Sequence, residues 1–105
     1  MRVTVSHRKN KEEVVRSVDR AFDDLFRDIG SIPVRFIQEK KTWEASRLTF
    51  LISAKMGFVS TPIKGTIDVT DTDLTIDVDL GMLERFIAPA KARSELSSRV
   101  RGLLS

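Results

Sequence analysis

Five aspartates, Asp68, Asp71, Asp73, Asp77 and Asp79, fall within a dozen residues of a 105-residue chain. Carboxylates so close together could work as general acid and base, or hold a hard cation such as calcium or magnesium. The surrounding pattern argues otherwise. Ile63, Gly65, Ile67 and Val69 alternate with polar residues, as do Leu74, Ile76, Val78 and Leu80, which is the period of a hairpin with one buried face. A turn at Asp71-Thr72 pairs Val69 with Leu74, Ile67 with Ile76, Gly65 with Val78 and Ile63 with Leu80, so every inward residue meets an inward residue. On the other face Asp68 then lies across from Thr75, Asp77 from Thr66 and Asp79 from Lys64. Only diagonal carboxylates such as Asp68 and Asp77 approach, at about 7–8 Å between backbones. Acids alternating with threonine make a solvated sheet face, and a weak cation contact is the lesser reading.

Other chemistry is scarcer. There is no cysteine, which removes disulfides, thiolate metal sites and thiol nucleophiles, and a lone histidine, His7, removes two-histidine zinc motifs. His7 continues the inward side of a short alternating segment, residues 2–7, and would need a partner within hydrogen-bond reach to act as a base. Ser6, Ser46, Ser53 and Ser60 lack a GxSxG setting, and no glycine-rich phosphate loop occurs. The expectation is a protein with no catalytic residue, no cofactor and no metal, and therefore not an enzyme.

Charge is unevenly spread. The net charge is +3 and the isoelectric point about 9.6. Residues 1–55 hold 12 bases against 8 acids, residues 56–80 one against five, and residues 81–105 five against two. A basic chain invites a nucleic-acid reading. The bases are interleaved with Glu12, Glu13, Asp19, Asp23, Asp24 and Asp28, however, and Trp43 and most of the six phenylalanines fall at core-phase positions rather than forming a stacking platform. No nucleic acid is expected. Apolar runs are only a few residues long, so no segment spans a bilayer, and no apolar stretch follows Met1, which makes the cytoplasm the expected location.

Two features point to interaction instead. Met56-Gly57-Phe58-Val59 is apolar yet lies in what reads as a connection, Lys55–Pro62. The last helix sets Lys91, Arg93, Arg99 and Arg101 beside a stripe of Leu96, Val100, Leu103 and Leu104, the build of an interfacial helix. Met56, Phe58, Val59, Leu96, Val100 and Leu103 are thus the candidate contact residues, with core packing the competing account of each.

The elements that would position them read as follows. A strand over residues 2–7 precedes a helix from about 11 to 29, capped by Asn10 with Glu13 completing a capping box. Val14, Val18, Phe22, Leu25 and Ile29 form its apolar stripe, and Gly30 and Pro33 end it. Residues 31–41 read as a loop with a short strand at most, because Gln38-Glu39-Lys40-Lys41 look exposed. A hairpin joins Thr42–Glu44 to Arg47–Ala54 through Ala45-Ser46, placing Trp43 opposite Leu48. The 63–80 hairpin follows, then a helical turn over Met82–Ile87 and a helix opened by Pro89. This predicts one α+β domain over residues 1–105, in two layers. An antiparallel sheet of four to five strands would carry both helices on one face and leave its acidic face to water.

Gly65-Thr66-Ile67-Asp68-Val69, then Leu74, Ile76, Val78 and Leu80-Gly81, then Met82-Leu83, Pro89 and the terminal amphipathic helix resemble the polyhydroxyalkanoic acid system family. Arg2–Ser6, the helix after Asn10, Trp43 and Phe50 fit the same order. The resemblance implies a small bacterial protein associated with polyhydroxyalkanoate storage granules, as a surface or regulatory component contacting the granule or granule proteins. It carries over no catalytic residues. An apolar granule surface would be met by the Met56–Val59 segment and the last helix. The alternative is a lipid- or acyl-binding module with a cavity of several hundred Å³ between sheet and C-terminal helix. A homodimer through a sheet edge or the last helix fits either.

Overall fold

The alternating segments pair into an antiparallel sheet with the order β1-β5-β4-β3-β2. Its strands are β1 (Arg2–Ser6), β2 (Arg35–Glu44), β3 (Arg47–Met56), β4 (Val59–Val69) and β5 (Asp73–Asp79). Helix α1 (Lys11–Phe26) follows β1, a short 3-10 turn (Gly81–Arg85) follows β5, and α2 (Pro89–Leu104) closes the chain. This computed structural model describes residues 1–27, 34–85 and 87–105, with backbone only at 82 and 83. α1 stops at Phe26, with Arg27 extended at φ −66° and ψ 129°, short of the expected end near residue 29; the expected stop residues Gly30 and Pro33 lie outside the described residues.

The β4–β5 register matches the expected one from Val69↔Leu74 through Gly65↔Val78, and the paired segment ends at Lys64↔Asp79, before Ile63 and Leu80. Trp43 faces Leu48 as the alternation requires. Two expectations fail at strand ends. Residues 35–44 form a full ten-residue strand rather than a loop. The alternation is broken there by a register shift between Gln38 and Lys40, which hides the strand's period. Lys55–Pro62 is likewise not an open connection: β3 runs to Met56, Gly57-Phe58 turn the chain, and β4 starts at Val59. Gly57 takes φ 62°, the first-position requirement of a two-residue hairpin loop. Pro62 is tolerated because β4 has there passed the end of β5, so its missing N–H faces no strand on that side.

Both helices cover one face of the sheet. The core unites Val14, Val18, Phe22, Leu25 and Phe26 of α1, and Ala92, Leu96 and Val100 of α2, with Leu48, Phe50, Ile63, Ile67, Leu74, Ile76 and Val78 of the sheet. α2 lies against β1 and α1. Phe22 and Phe26 meet Phe50 with ring centroids 5.0 and 5.3 Å away, and the Phe50 ring lies so close over Gly65 that a Cβ there would sit 2.4 Å from it. Asn10 caps α1 by accepting from the Glu12 N–H at 2.9 Å, and among the described residues Glu13 returns no bond to complete a box. Arg99 of α2 donates Nη1 to the Asp24 and Leu25 carbonyls at 3.1 and 3.2 Å, supplying the cation that the last turn of α1 lacks.

Candidate functional site

The carboxylates stand where the register puts them, and four of the five, Asp68, Asp73, Asp77 and Asp79, each hold a partner, while Asp71 is exposed at the turn. Arg47 grips Asp68 with two bonds, Nε to Oδ1 at 2.8 Å and Nη2 to Oδ2 at 3.2 Å. That contact raises the Arg47 guanidinium above its ordinary value. Arg2 bonds Asp77 at 3.2 Å, Ser6 donates to Asp73 at 3.1 Å, and Asp79 accepts the Gly81 N–H at 3.0 Å. Among the described residues no three of His, Asp and Glu gather into a metal cluster. Ile67, Ile76 and Val78 are buried while Asp77 is exposed and Asp68 half-buried, so the sheet is oriented as expected.

His7 is a fastener. The Lys9 N–H donates to Nδ1 at 3.2 Å, which leaves Nε2–H to donate to the Thr70 carbonyl at 2.8 Å. Its own N–H donates to the Thr72 carbonyl. Nε2 and the backbone N–H thus tie the end of β1 to the β4–β5 turn while Nδ1 holds the following backbone at Lys9, and the residue is 8% exposed.

Of the six candidate contact residues, the helix contributes least. Leu96 and Val100 are completely buried against the sheet and α1, which corrects their assignment to a partner surface. Leu103 is half-buried, on a shallow groove with Ala21, Asp24, Leu25 and Arg99. The apolar stripe of α2 is core. Nor is there room for a lipid beneath it. The space that Met1, Phe36, Ile52, Ile63, Val78, Leu80, Ile87 and Leu96 enclose between sheet and α2 measures about 10 Å³, enough for about one water. A larger groove, about 680 Å³, lies between α1 and β2, with Phe22, Phe26, Val34 and Phe36 below and Arg27 and Arg35 at its rim. Its lining includes Arg27 and Val34, and the residues between them in sequence, 28–33, lie outside the described set.

The other three candidates come together at the β3–β4 tip. Met56 pairs with Val59 as the last rung of the ladder. Phe58 is fully exposed and Val59 52% exposed, the large apolar side chains that the described fold leaves to solvent, while Met56 packs partly on the core. Neighbouring strands end before this rung: β2 reaches only Lys55, and β5 only Lys64. The tip therefore overhangs the sheet.

Behind it the outer face is not uniformly acidic, which the reading of the aspartates alone missed. Arg35 pairs with Lys55 one rung behind the tip, and Lys40, Leu51 and Lys64 form a further row. All four bases are exposed, and none bonds a described carboxylate. Lys64 has Asp79 across from it, and Glu39 adjoins Lys40. Leu51, Lys40, Lys64, Thr42, Thr49 and Glu44 line a shallow hollow of about 380 Å³ here. The sequence signal was available: residues 46–67 contain Arg47, Lys55 and Lys64 and no carboxylate.

Inside, Lys41 occupies a core-face position opposite Phe50, contrary to the expected exposure of residues 38–41. Its Nζ bonds Asp19 Oδ1 at 2.9 Å and stands 5.5 Å over the Phe22 ring. Trp43 Nε1 donates to the same carboxylate oxygen at 2.9 Å. Lys41 first, then Trp43, hold the Asp19 carboxyl below its usual range. No helix among the described residues is long and apolar enough to cross a membrane. No family model, curated protein or solved structure matches the chain.

Proposed function

We propose that this is a non-catalytic cytoplasmic protein of polyhydroxyalkanoate storage granules, which adsorbs to the granule surface through the Met56–Val59 hairpin tip. One observation carries the reading: a phenylalanine fully exposed at the apex of a two-residue turn, beyond the end of both neighbouring strands. Core packing gives no reason for it to be there, whereas an exposed apolar patch is what contact with an apolar surface uses. The resemblance of Gly65–Val69, Leu74–Gly81 and Pro89 to the polyhydroxyalkanoic acid system family supplies the granule as that surface. Removing Phe58 and half of Val59 from water is worth about 2–4 kcal/mol, so the contact is weak and reversible. A second copy, joined through a free edge at β1 or β2, would double the number of tips.

The test is a fluorescently tagged protein in polyester-accumulating cells, together with pelleting of purified granules. The unaltered protein marks granule rims and pellets with them; Phe58→Asp with Val59→Asp disperses it with circular dichroism unchanged. Diffuse fluorescence of the unaltered protein, or full retention of the double variant, would defeat the reading.

A further inference from the structure

We infer that the tip and the basic rows behind it form one docking surface for an anionic lipid layer, with Phe58 entering the acyl region and Arg35 and Lys55 at the headgroups. The inference rests on the tip being an adsorbing element and adds what it adsorbs to. Apolar insertion of about one and a half side chains holds a protein only marginally, and stable interfacial binding takes a second attraction. The fold supplies one. Arg35 and Lys55 face each other one rung behind Met56–Val59, ~3.4 Å along the strand, well inside a Debye length of about 8 Å. Lys40 and Lys64 lie about five residues back, ~17 Å, and come into range when the sheet leans over the surface.

The charges are free to act. Arg47 is bound by Asp68 and Arg2 by Asp77, whereas Arg35, Lys40, Lys55 and Lys64 hold no ion-pair partner among the described residues. Three carboxylates lie near these bases: Asp79 across from Lys64, already accepting from Gly81, Glu39 beside Lys40, and Glu44 in the hollow that Lys40 and Lys64 line, and all three are away from the Arg35–Lys55 rung. The shape selects among acidic partners. Phe58 stands on a convex point, which suits a fluid layer that closes around it better than a rigid partner needing a broad matched face. One fully exposed aromatic among the described residues is also too few to stack a nucleic-acid strand.

Sucrose-loaded vesicles of phosphatidylcholine, with and without phosphatidylserine, test this by sedimentation. Each near-surface base strengthens binding to an anionic layer by roughly fivefold, so phosphatidylserine should tighten binding on the order of tenfold or more. Arg35→Gln with Lys55→Gln should abolish that preference and leave binding to phosphatidylcholine alone unchanged. Phe58→Ser should weaken binding to both, with circular dichroism confirming that all variants fold. Equal binding to the two vesicles, or an unaltered preference in the double variant, overturns the inference. Bare poly(3-hydroxybutyrate) particles separate it from the granule reading. Capture by particles without a phosphatidylserine preference overturns the anionic layer and leaves granule adsorption standing; no binding to particles or vesicles overturns both.

Discussion

Gly65 shows how much one position can depend on its cross-strand partner, Phe50 of β3. Its inward phase and its place across from Val78 follow from alternation, but nothing in the local sequence explains the missing side chain. The Phe50 ring lies over it, and the Asp77 carbonyl would be 2.8 Å from a Cβ. The ring cannot retreat because Phe22 and Phe26 pack on it. Gly65→Ala should therefore destabilise by about 1–3 kcal/mol, the usual range for overpacking. Thermal unfolding would register this as roughly 4–8 °C per kcal/mol in a domain of this size. Adding Phe50→Leu should recover part of the loss, and a wild-type melting temperature for Gly65→Ala alone would contradict the packing account. His7 makes the complementary point: a lone histidine at an inward position suggests a base until both of its nitrogens are found in use.

Among the elements, β2 was the least legible. A strand is read from strict alternation, and the shift at Gln38/Lys40 interrupts it within four consecutive polar residues. Lys41 belongs inside because Asp19 of α1 receives its ammonium and the Trp43 indole N–H together, a partnership between elements that sequence spacing does not display. The same link makes a pH prediction. Asp19 has its pKa lowered on folding, so it stabilises the fold above the unfolded carboxylate value, near 4, and that contribution disappears as pH falls through the lower folded value. Because the carboxylate is about half exposed, the effect should be of the order of 0.5 kcal/mol, typical of exposed pairs. Denaturant midpoints measured between neutral pH and pH 2 should fall less steeply for Asp19→Asn than for the unaltered protein; parallel curves would mean that the link does not contribute.

For the molecule as a whole, stability and the proposed contact are housed apart. The core is closed by α1 and α2 over the sheet, while Phe58 contributes nothing to it. Phe58→Asp with Val59→Asp should accordingly shift stability by no more than about 0.5 kcal/mol, the usual range for surface substitutions. The melting temperature should then stay within about 3 °C of wild type. A larger fall would show that the tip is structural and that its exposure serves packing in some other state. The outer face is divided on the same large scale, basic behind the tip and acidic toward β5. That division arises from strands far apart in sequence and is invisible in the segment totals, where Lys64 is counted with five aspartates.

Periodicity and turn residues by themselves determined the two-layer α+β class, the β4–β5 register, the Asn10 cap and the start of α2 at Pro89. Each depends on the local repeat of side-chain direction, which is written within a few residues. They also marked Met56–Val59 as unusually apolar. Only the tertiary structure decided that Leu96 and Val100 face inward while Phe58 faces out, that Lys41 is inside, and that Arg35 joins Lys55. An apolar residue is recorded in the chain, but whether another element comes to cover it depends on packing between segments distant in sequence.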